Sequence, residues 1–372
     1  MARAPAVHEL EALPEIDRLE GFPHPRETAA LYGHEEAEAE LARAITSGRM
    51  HHAWLLAGPA GIGKATLAYR IAAATLADPS ERDPFATSLA IDPATTAARQ
   101  VRALSHPGLL VIRRTYNTKD KRFPQSISVD EVRRLRNFLG HRGADGAWRV
   151  VIVDSADELN INAANALLKS LEEPPERTLF LLVTSEPGRL LATIRSRCRT
   201  LELAPLSSAG LRRATAAALA AAGRAAPDET AMATLERLAD GSVRRALSLE
   251  GDGGLALYEQ VFGLVAALPD VRWALVHQLA EQLSASAAEV RFNLFFELLL
   301  DLLARLVRGA ATGTGEAQEM RLAARLIGPD RLASMAEVWE TVAREKAETV
   351  ALNLDRKTLI LRTVSRLEAT TR

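Results

Sequence analysis

The segment GPAGIGKAT has the spacing of a phosphate-binding loop, Gly-x-x-x-x-Gly-Lys-Ser/Thr, with one departure. Gly58, Gly61 and Gly63 allow backbone N–H groups to turn towards an anion, and Lys64 can reach the outer phosphates of a nucleotide. A strand pattern precedes the segment and a helix pattern follows it, which is the context that makes this motif specific. Ala65 stands where a hydroxyl would ligate Mg²⁺. The segment therefore predicts an inherited nucleotide site that lacks its metal-binding hydroxyl.

The segment RVVIVDSADELN places an acidic residue, Asp154, at the end of an apolar strand pattern. A carboxylate there can hold the water shell of Mg²⁺ beside the loop. The next position, where a glutamate would polarise an attacking water, holds Ser155, a poor base near neutral pH. Asp157 and Glu158 either substitute for that glutamate or begin the next helix as solvated groups, and the second interpretation is favoured. The two losses indicate a site that does not hydrolyse nucleotide by itself.

Further polar residues lie where they could complete a phosphoryl-transfer site. Thr184, at the end of the TLFLLVTS pattern, either hydrogen-bonds a γ-phosphate or lytic water, or caps its strand. Arg195, Arg197 and Arg199 form either a solvated edge or a source of one guanidinium for a neighbouring subunit's nucleotide, where it would stabilise the charge of the transition state. Arg244, near a helix start, either reaches back to a nucleotide or forms surface ion pairs, and the surface role is favoured.

Composition limits the classes of partner. The chain has 372 residues, a net charge of −1 and one cysteine, Cys198, so neither a disulfide framework nor a four-cysteine zinc module is expected. The balanced charge argues against binding nucleic acid over the whole surface. The basic stretch RRTYNTKDKR could touch nucleic acid locally, although a solvated loop is favoured. His51 and His52 have no cluster of ligands nearby, so no metal site is predicted.

Targeting and membrane signals are also missing from the sequence. The first residues lack the apolar core of a signal peptide. The most apolar stretch, NLFFELLLDLLARLV, carries a polar residue every fourth position from 293 to 305, as a helix with one wet stripe does. We therefore expect a cytoplasmic protein that does not enter a membrane.

Apolar runs and helical patterns alternate in the first half of the chain. The strand candidates span residues 52–58, 108–114, 148–154, 178–185 and 200–205. Their centres are continuously apolar, as expected of parallel strands covered by helices on both faces. After Pro205 only helical patterns recur, three short ones and then five or six longer ones. The sequence predicts an α/β domain with a five-stranded parallel sheet, a small helical lid and an all-α tail.

These features together resemble the clamp-loader branch of the AAA+ ATPases. The likeness runs from about Tyr32 to the C-terminus and is carried by HPGLLVIRR, NAANALLKSLEEPPERTLFLLVTSEPGRLLATIRSRC and LNLDRKTLILRTVSRL. The resemblance implies an AAA+ P-loop core at 26–205, a three-helix lid at 206–255 and a helical collar at 256–372 that holds subunits in a ring. Residues 1–25 would then be an N-terminal extension.

The resemblance also implies roles for single residues. Gly58 through Lys64 fall on the Walker A loop, Asp154 on the Walker B aspartate, Thr184 on sensor 1 and Arg244 on sensor 2. Ser196-Arg197-Cys198 falls on the family's SRC motif, whose arginine finger reaches the nucleotide of the adjacent subunit.

The departures from the family pattern concern Ala65, Ser155 and the missing four-cysteine zinc module, in whose place residues 80–107 hold no cysteine. With these departures the chain resembles a rigid stator subunit of the DNA polymerase III clamp loader more than its gamma/tau motor. The expected partners are gamma/tau and delta, with the sliding clamp and primer–template DNA reached through the assembly; Lys169 is one candidate DNA contact. We expect that no cofactor is required and that no zinc is bound. ATP or ADP could bind weakly. A self-sufficient AAA+ ATPase, or a nucleotide-binding regulator outside replication, is the alternative.

Overall fold

The computed structural model describes residues 13–28, 30–82, 88–140, 147–251, 253–285 and 288–372. Residues 1–12 of the predicted extension lie outside these ranges, as do residues 83–87 of the cysteine-free stretch. The chain divides into two compact units, Met1–Leu247 and Ser248–Arg372. This boundary falls inside the segment that the sequence predicts as a lid.

The first unit is built on a five-stranded sheet in the order β2-β3-β4-β1-β5. All neighbouring strands are parallel. The strands are β1 (Ala53–Ala57), β2 (Leu109–Ile112), β3 (Arg149–Val153), β4 (Thr178–Thr184) and β5 (Arg199–Glu202). The predicted five-stranded parallel sheet is therefore confirmed, with each strand within three residues of its expected bounds.

Helices cover both faces of this sheet. Those of the first unit are α1 (Glu35–Thr46), α2 (Lys64–Leu76), α3 (Thr96–Arg102), α4 (Val129–Gly140), α5 (Ile161–Glu172), α6 (Ala192–Arg195), α7 (Ser208–Ala221) and α8 (Glu229–Ala239), and α9 (Val243–Glu250) crosses the boundary between the units. Alternate residues of β4 enter different cores: Leu179 and Leu181 pack with α1 and α2, whereas Phe180 and Leu182 pack with α4 and α5. This two-sided burial explains the continuously apolar strands.

The sheet fixes where functional side chains can lie. Because β1, β3 and β4 are adjacent and parallel, their carboxyl ends meet at one edge. The phosphate-binding loop follows β1, Asp154 follows β3, and Thr184 ends β4. In open parallel sheets, ligands bind at this edge.

The second unit is helical in the residues that the structure describes. Its helices are α10 (Gly254–Ala266), α11 (Trp273–Ser284), α12 (Glu289–Thr312), α13 (Ala317–Leu326), α14 (Leu332–Leu352) and α15 (Arg356–Thr371). The long α12 packs against α10, α13 and α14 and buries Phe292, Phe295 and Phe296. No helix among the described residues is both long and apolar enough to cross a membrane.

The polar stripe predicted on α12 is only partly exposed to solvent. Glu297 is exposed, as expected. Arg305 turns instead to Glu319 of α13, with Nε 3.0 Å from Oε2, and Glu319 is 5% exposed. The expectation of a fully solvated stripe is therefore wrong at Arg305, because a helix partner distant in sequence supplies a buried carboxylate.

Candidate functional site

The loop between β1 and α2 has the backbone that its glycines permit. Gly58, Gly61 and Gly63 have φ values of 150°, 77° and 104°, a backbone conformation that residues with a side chain rarely adopt. A Cβ on Gly61 would lie 2.4 Å from Ser242 Oγ. A Cβ on Gly58 would lie 2.3 Å from the backbone oxygen of Leu203, the residue after β5. The glycines therefore serve both the turn of the loop and its close approach to neighbouring backbone.

Lys64 is folded back onto its own loop. Its ammonium donates to the carbonyl oxygens of Gly58, at 2.7 Å, and of Pro59, and to Ser185 Oγ at 3.1 Å. The residue is 5% exposed. Burial lowers the pKa of Lys64 to about 8, an effect that the carboxylates of Asp157 and Asp154 oppose. The ammonium is thus committed to protein acceptors.

Asp154, after β3, is buried beside a second carboxylate from a distant part of the chain. Burial raises the pKa of Asp154, and the charge and side-chain hydrogen bond of Asp17 raise it further. Its Oδ2 has no hydrogen-bond partner among the described residues. Ser155 adopts the left-handed conformation, with a φ of 61°, as the chain turns away from the sheet.

Asp157 and Glu158 make contacts that the sequence did not predict. Asp157 Oδ1 accepts a hydrogen bond from the backbone N–H of Ser185 at 3.1 Å. Glu158 pairs with Arg114, whose Nη2 donates to Oε1 at 2.7 Å. Both carboxylates therefore contact other groups of the protein. The alternative that one of them replaces the missing glutamate stays a prediction.

Thr184 and its neighbour Ser185 have different surroundings. Thr184 is completely buried, and its hydroxyl accepts from the backbone N–H of Glu186 at 3.2 Å. Ser185, which the sequence analysis missed, lines the cavity over the loop and accepts from Lys64. The strand pattern predicted only where β4 ends, and did not indicate which hydroxyl would face the loop.

Arg244, at the start of α9, lies at the same cavity. Its backbone N–H donates to the carbonyl oxygen of Gly61 at 3.2 Å, and Ser242 Oγ donates to that of Ala60 at 2.9 Å. Its guanidinium donates from Nη1 to the carbonyl oxygen of Asp17 at 2.9 Å. The residues alone favoured a surface role for Arg244, and the family resemblance placed it on sensor 2. Asp17 was missed because it lies in a stretch without periodicity.

The cavity that these residues line has a volume of 650 Å³. The structure brings together Gly61, Gly63, Lys64, Asp154 and Arg244 along its walls. Its wall also includes residues 16, 17, 19, 22, 23 and 25 of what we call the N-terminal segment, residues 13–25.

The residues present fit a magnesium nucleotide poorly. Ala65 offers no hydroxyl, Lys64 donates to three protein oxygens, and Arg244 donates to a protein carbonyl. Two carboxyl groups, from Asp17 and Asp154, meet where one would face a hydrated Mg²⁺ ion. No cluster of three or more potential metal ligands occurs in the part of the chain that the structure describes.

The SRC motif lies between α6 and β5 and lines a different depression, of 770 Å³, together with the end of α5. Arg197 is half-buried and pairs with Glu172, with Nη2 2.7 Å from Oε1. Arg199 instead pairs with Glu40 and lies over the Trp54 ring. Burial raises the pKa of the Cys198 thiol to about 11, so the thiol stays protonated. Arg197 is not among the residues that line the 650 Å³ cavity.

The other candidates are distributed over the surface. His51 Nδ1 lies 2.8 Å from the Ala53 carbonyl oxygen, and its ring centre lies 4.4 Å from that of His52. In the basic stretch, Arg113 pairs with Glu15 at 2.6 Å and Arg114 with Glu158, so these two face inward. Its exposed remainder includes Lys119, Lys121 and Arg122. The exposed Lys169 lies on α5.

Comparison with known proteins supplies the family context for this geometry. Residues 33–207 match the family model described as DNA polymerase III, delta subunit. The chain is similar to the DNA polymerase III subunit delta' of Pseudomonas aeruginosa, with 36% identity over 279 residues, covering 74% of this chain and 79% of that protein. It is also similar to the DNA polymerase III subunit delta' of Escherichia coli, with 31% identity over 267 residues, which cover 72% of this chain and 74% of that protein.

A more distant similarity reaches the tau subunits. The DNA polymerase III subunit tau of Salmonella typhimurium is 29% identical over 334 residues, which cover 83% of this chain. The aligned part is 49% of the tau subunit, so this chain spans about half of that relative.

Proposed function

The chain belongs to the delta-prime family of DNA polymerase III subunits, a family of clamp-loader subunits, and on that premise we propose that it is the loader's non-hydrolysing stator. Its partners are other subunits of that complex. The proposal specifies gamma/tau and delta as the direct neighbours, and the sliding clamp and primer–template DNA as partners reached through the assembly. Its place of action would be the cytoplasm, where replication proceeds.

The central part of the proposal is that Arg197 acts in trans. It is carried by the position of Arg197, which lines a surface depression outside the chain's own nucleotide cavity. A guanidinium placed beside a neighbour's γ-phosphate stabilises the charge that develops during phosphoryl transfer. The chain's own cavity, with Ala65 and Ser155 in place of the hydroxyl and glutamate, would bind ATP or ADP weakly and not cleave it.

Replacement of Arg197 in the reconstituted loader tests this role. Arg197→Ala should lower DNA-stimulated ATP turnover and clamp loading by at least about tenfold, because arginine fingers contribute large factors to such rates. Arg195→Ala is the matched control: Arg195 is an exposed arginine two residues earlier. Arg197→Lys, which keeps the charge but loses the planar fork, should restore little activity. Unchanged turnover with Arg197→Ala would refute the proposal.

The isolated chain tests the alternative of a self-sufficient ATPase. With millimolar Mg·ATP, we expect no phosphate release above that of a Lys64→Ala variant. Release that depends on Lys64 would instead identify the chain as an ATPase in its own right.

A further inference from the structure

We propose that the N-terminal segment, residues 13–25, is a built-in occupant of the phosphate end of the nucleotide cavity, with Asp17 standing where terminal phosphate and metal would lie. The inference rests on the proposed function only in taking this cavity as the site of the nucleotide. It adds a reason for weak binding that is independent of Ala65 and Ser155.

Asp17 spans the cavity from the lid side to the sheet. Its backbone carbonyl accepts from Arg244 Nη1 at 2.9 Å. Its side chain lies beside the carboxyl of Asp154 and has Oδ2 3.4 Å from Arg113 Nη1. A residue that touches both Arg244 and Asp154 occupies the space between them, which is where the end of a triphosphate would have to reach.

A network of ion pairs holds the segment in place. Glu15 Oε1 lies 2.7 Å from Arg26 Nη1 and 2.6 Å from Arg113 Nη2, and these three side chains are between 11% and 17% exposed. Arg18 pairs with Glu27 at 2.8 Å. Pairs with little exposure are weakly screened by salt, so the network can restrain the segment under physiological conditions.

Apolar contacts add a second anchor. Phe22 is 7% exposed and packs against Leu219 of α7 and Leu247 of α9. The guanidinium carbon of Arg224 lies 5.3 Å from the centre of its ring. His24 is completely buried, and burial followed by the charge of Arg26 lowers its pKa to about 3, so the ring is neutral. The segment is therefore fixed at both of its described ends.

The charges of the cavity disfavour a polyphosphate while the segment is docked. Two cations that line the cavity are already engaged: Lys64 by loop carbonyls, and Arg244 by the backbone carbonyl of Asp17. Two carboxyl groups remain at the same end. Binding a triphosphate would therefore require the segment to leave or the carboxylate of Asp17 to be replaced by a neutral group.

Nucleotide titration of full-length variants tests the inference. Mg·ATP binding is measured calorimetrically for wild type, Asp17→Asn and Glu20→Gln, the last being the same charge change at an exposed position of the same segment. Asp17→Asn should tighten Mg·ATP binding at least about tenfold, because a carboxylate close to the phosphates repels them strongly where the effective dielectric constant is low. Glu20→Gln should bind as the wild type does.

Equal affinities for wild type and Asp17→Asn would overturn the inference. If Asp17→Asn does not fold, Phe22→Ala tests the same claim by detaching the apolar anchor, with the same two outcomes. The readout is affinity and not hydrolysis, so it is separate from the trans role of Arg197: a tighter-binding Asp17→Asn supports the inference even if Arg197→Ala leaves the loader unchanged.

Discussion

Arg197 and Glu172 form an ion pair at the end of α5, with Nη2 of the arginine 2.7 Å from Oε1 of the glutamate. The same guanidinium donates from Nη1 to the carbonyl oxygen of Thr193 at 3.0 Å. The two side chains are 35% and 48% exposed. A pair this exposed contributes about 0–1 kcal/mol, so phosphates of higher charge could displace the carboxylate.

The first prediction concerns the release of this arginine. Glu172→Gln removes the carboxylate charge and should leave loader ATP turnover at or above the wild-type rate, in contrast to Arg197→Ala. Its melting temperature should hardly change, because an exposed pair is weak. Glu173→Gln, the adjacent exposed glutamate, is the control, and DNA-stimulated phosphate release is the measurement. A loss as large as that of Arg197→Ala, absent from Glu173→Gln, would show that the pair itself is required.

The sequence predicted the sheet and the loop because both have local signatures. Each strand is a short apolar run buried on two faces, and that burial is what the continuous pattern records. The glycines at 58, 61 and 63 likewise predict the positive φ values observed. The position of Asp154 followed from the end of β3.

The contacts made by the N-terminal segment have no such signature. Glu15 and Arg113 are 98 positions apart, and Asp17 and Arg244 are 227 apart. Ion pairs and carbonyl contacts at this separation depend on the tertiary fold and leave no period in the sequence. The same reason explains why Glu172 was not recognised as the partner of Arg197, although both belong to quoted motifs.

A second prediction concerns pH. Burial opposes ionisation of Glu15, but hydrogen bonds from Arg26 and Arg113 and their charges outweigh it and lower its pKa to about 2, from an ordinary 4.5. A folded-state pKa below the unfolded one stabilises the fold at pH values above 4.5, and this contribution is lost as the pH falls towards 2. Glu15→Gln should therefore be less stable than wild type at pH 7, and the difference should shrink below pH 4.5.

Calorimetric melting from pH 7 down to pH 3 measures this difference. We expect a deficit of about 1.5–3 kcal/mol for Glu15→Gln at neutral pH, the usual contribution of hydrogen bonds to charged groups. Glu20→Gln, exposed on the same segment, should show no such deficit. A gap between wild type and Glu15→Gln that is the same at both ends of the pH range would contradict the assigned cause.

The last prediction concerns the second unit, where a carboxylate is buried between helices. Glu319 of α13 is 5% exposed, accepts from Arg305 Nε at 3.0 Å and receives the Tyr258 hydroxyl at 3.4 Å. Glu319→Ala would leave Arg305 partly buried without this partner, and should lower the free energy of unfolding by about 3–5 kcal/mol. Glu281→Ala, which breaks a pair with Lys357 in which the glutamate is 76% exposed, should cost no more than about 1 kcal/mol. Urea unfolding of the full chain compares the two, and equal losses would mean that burial does not set the strength of the Glu319 contact.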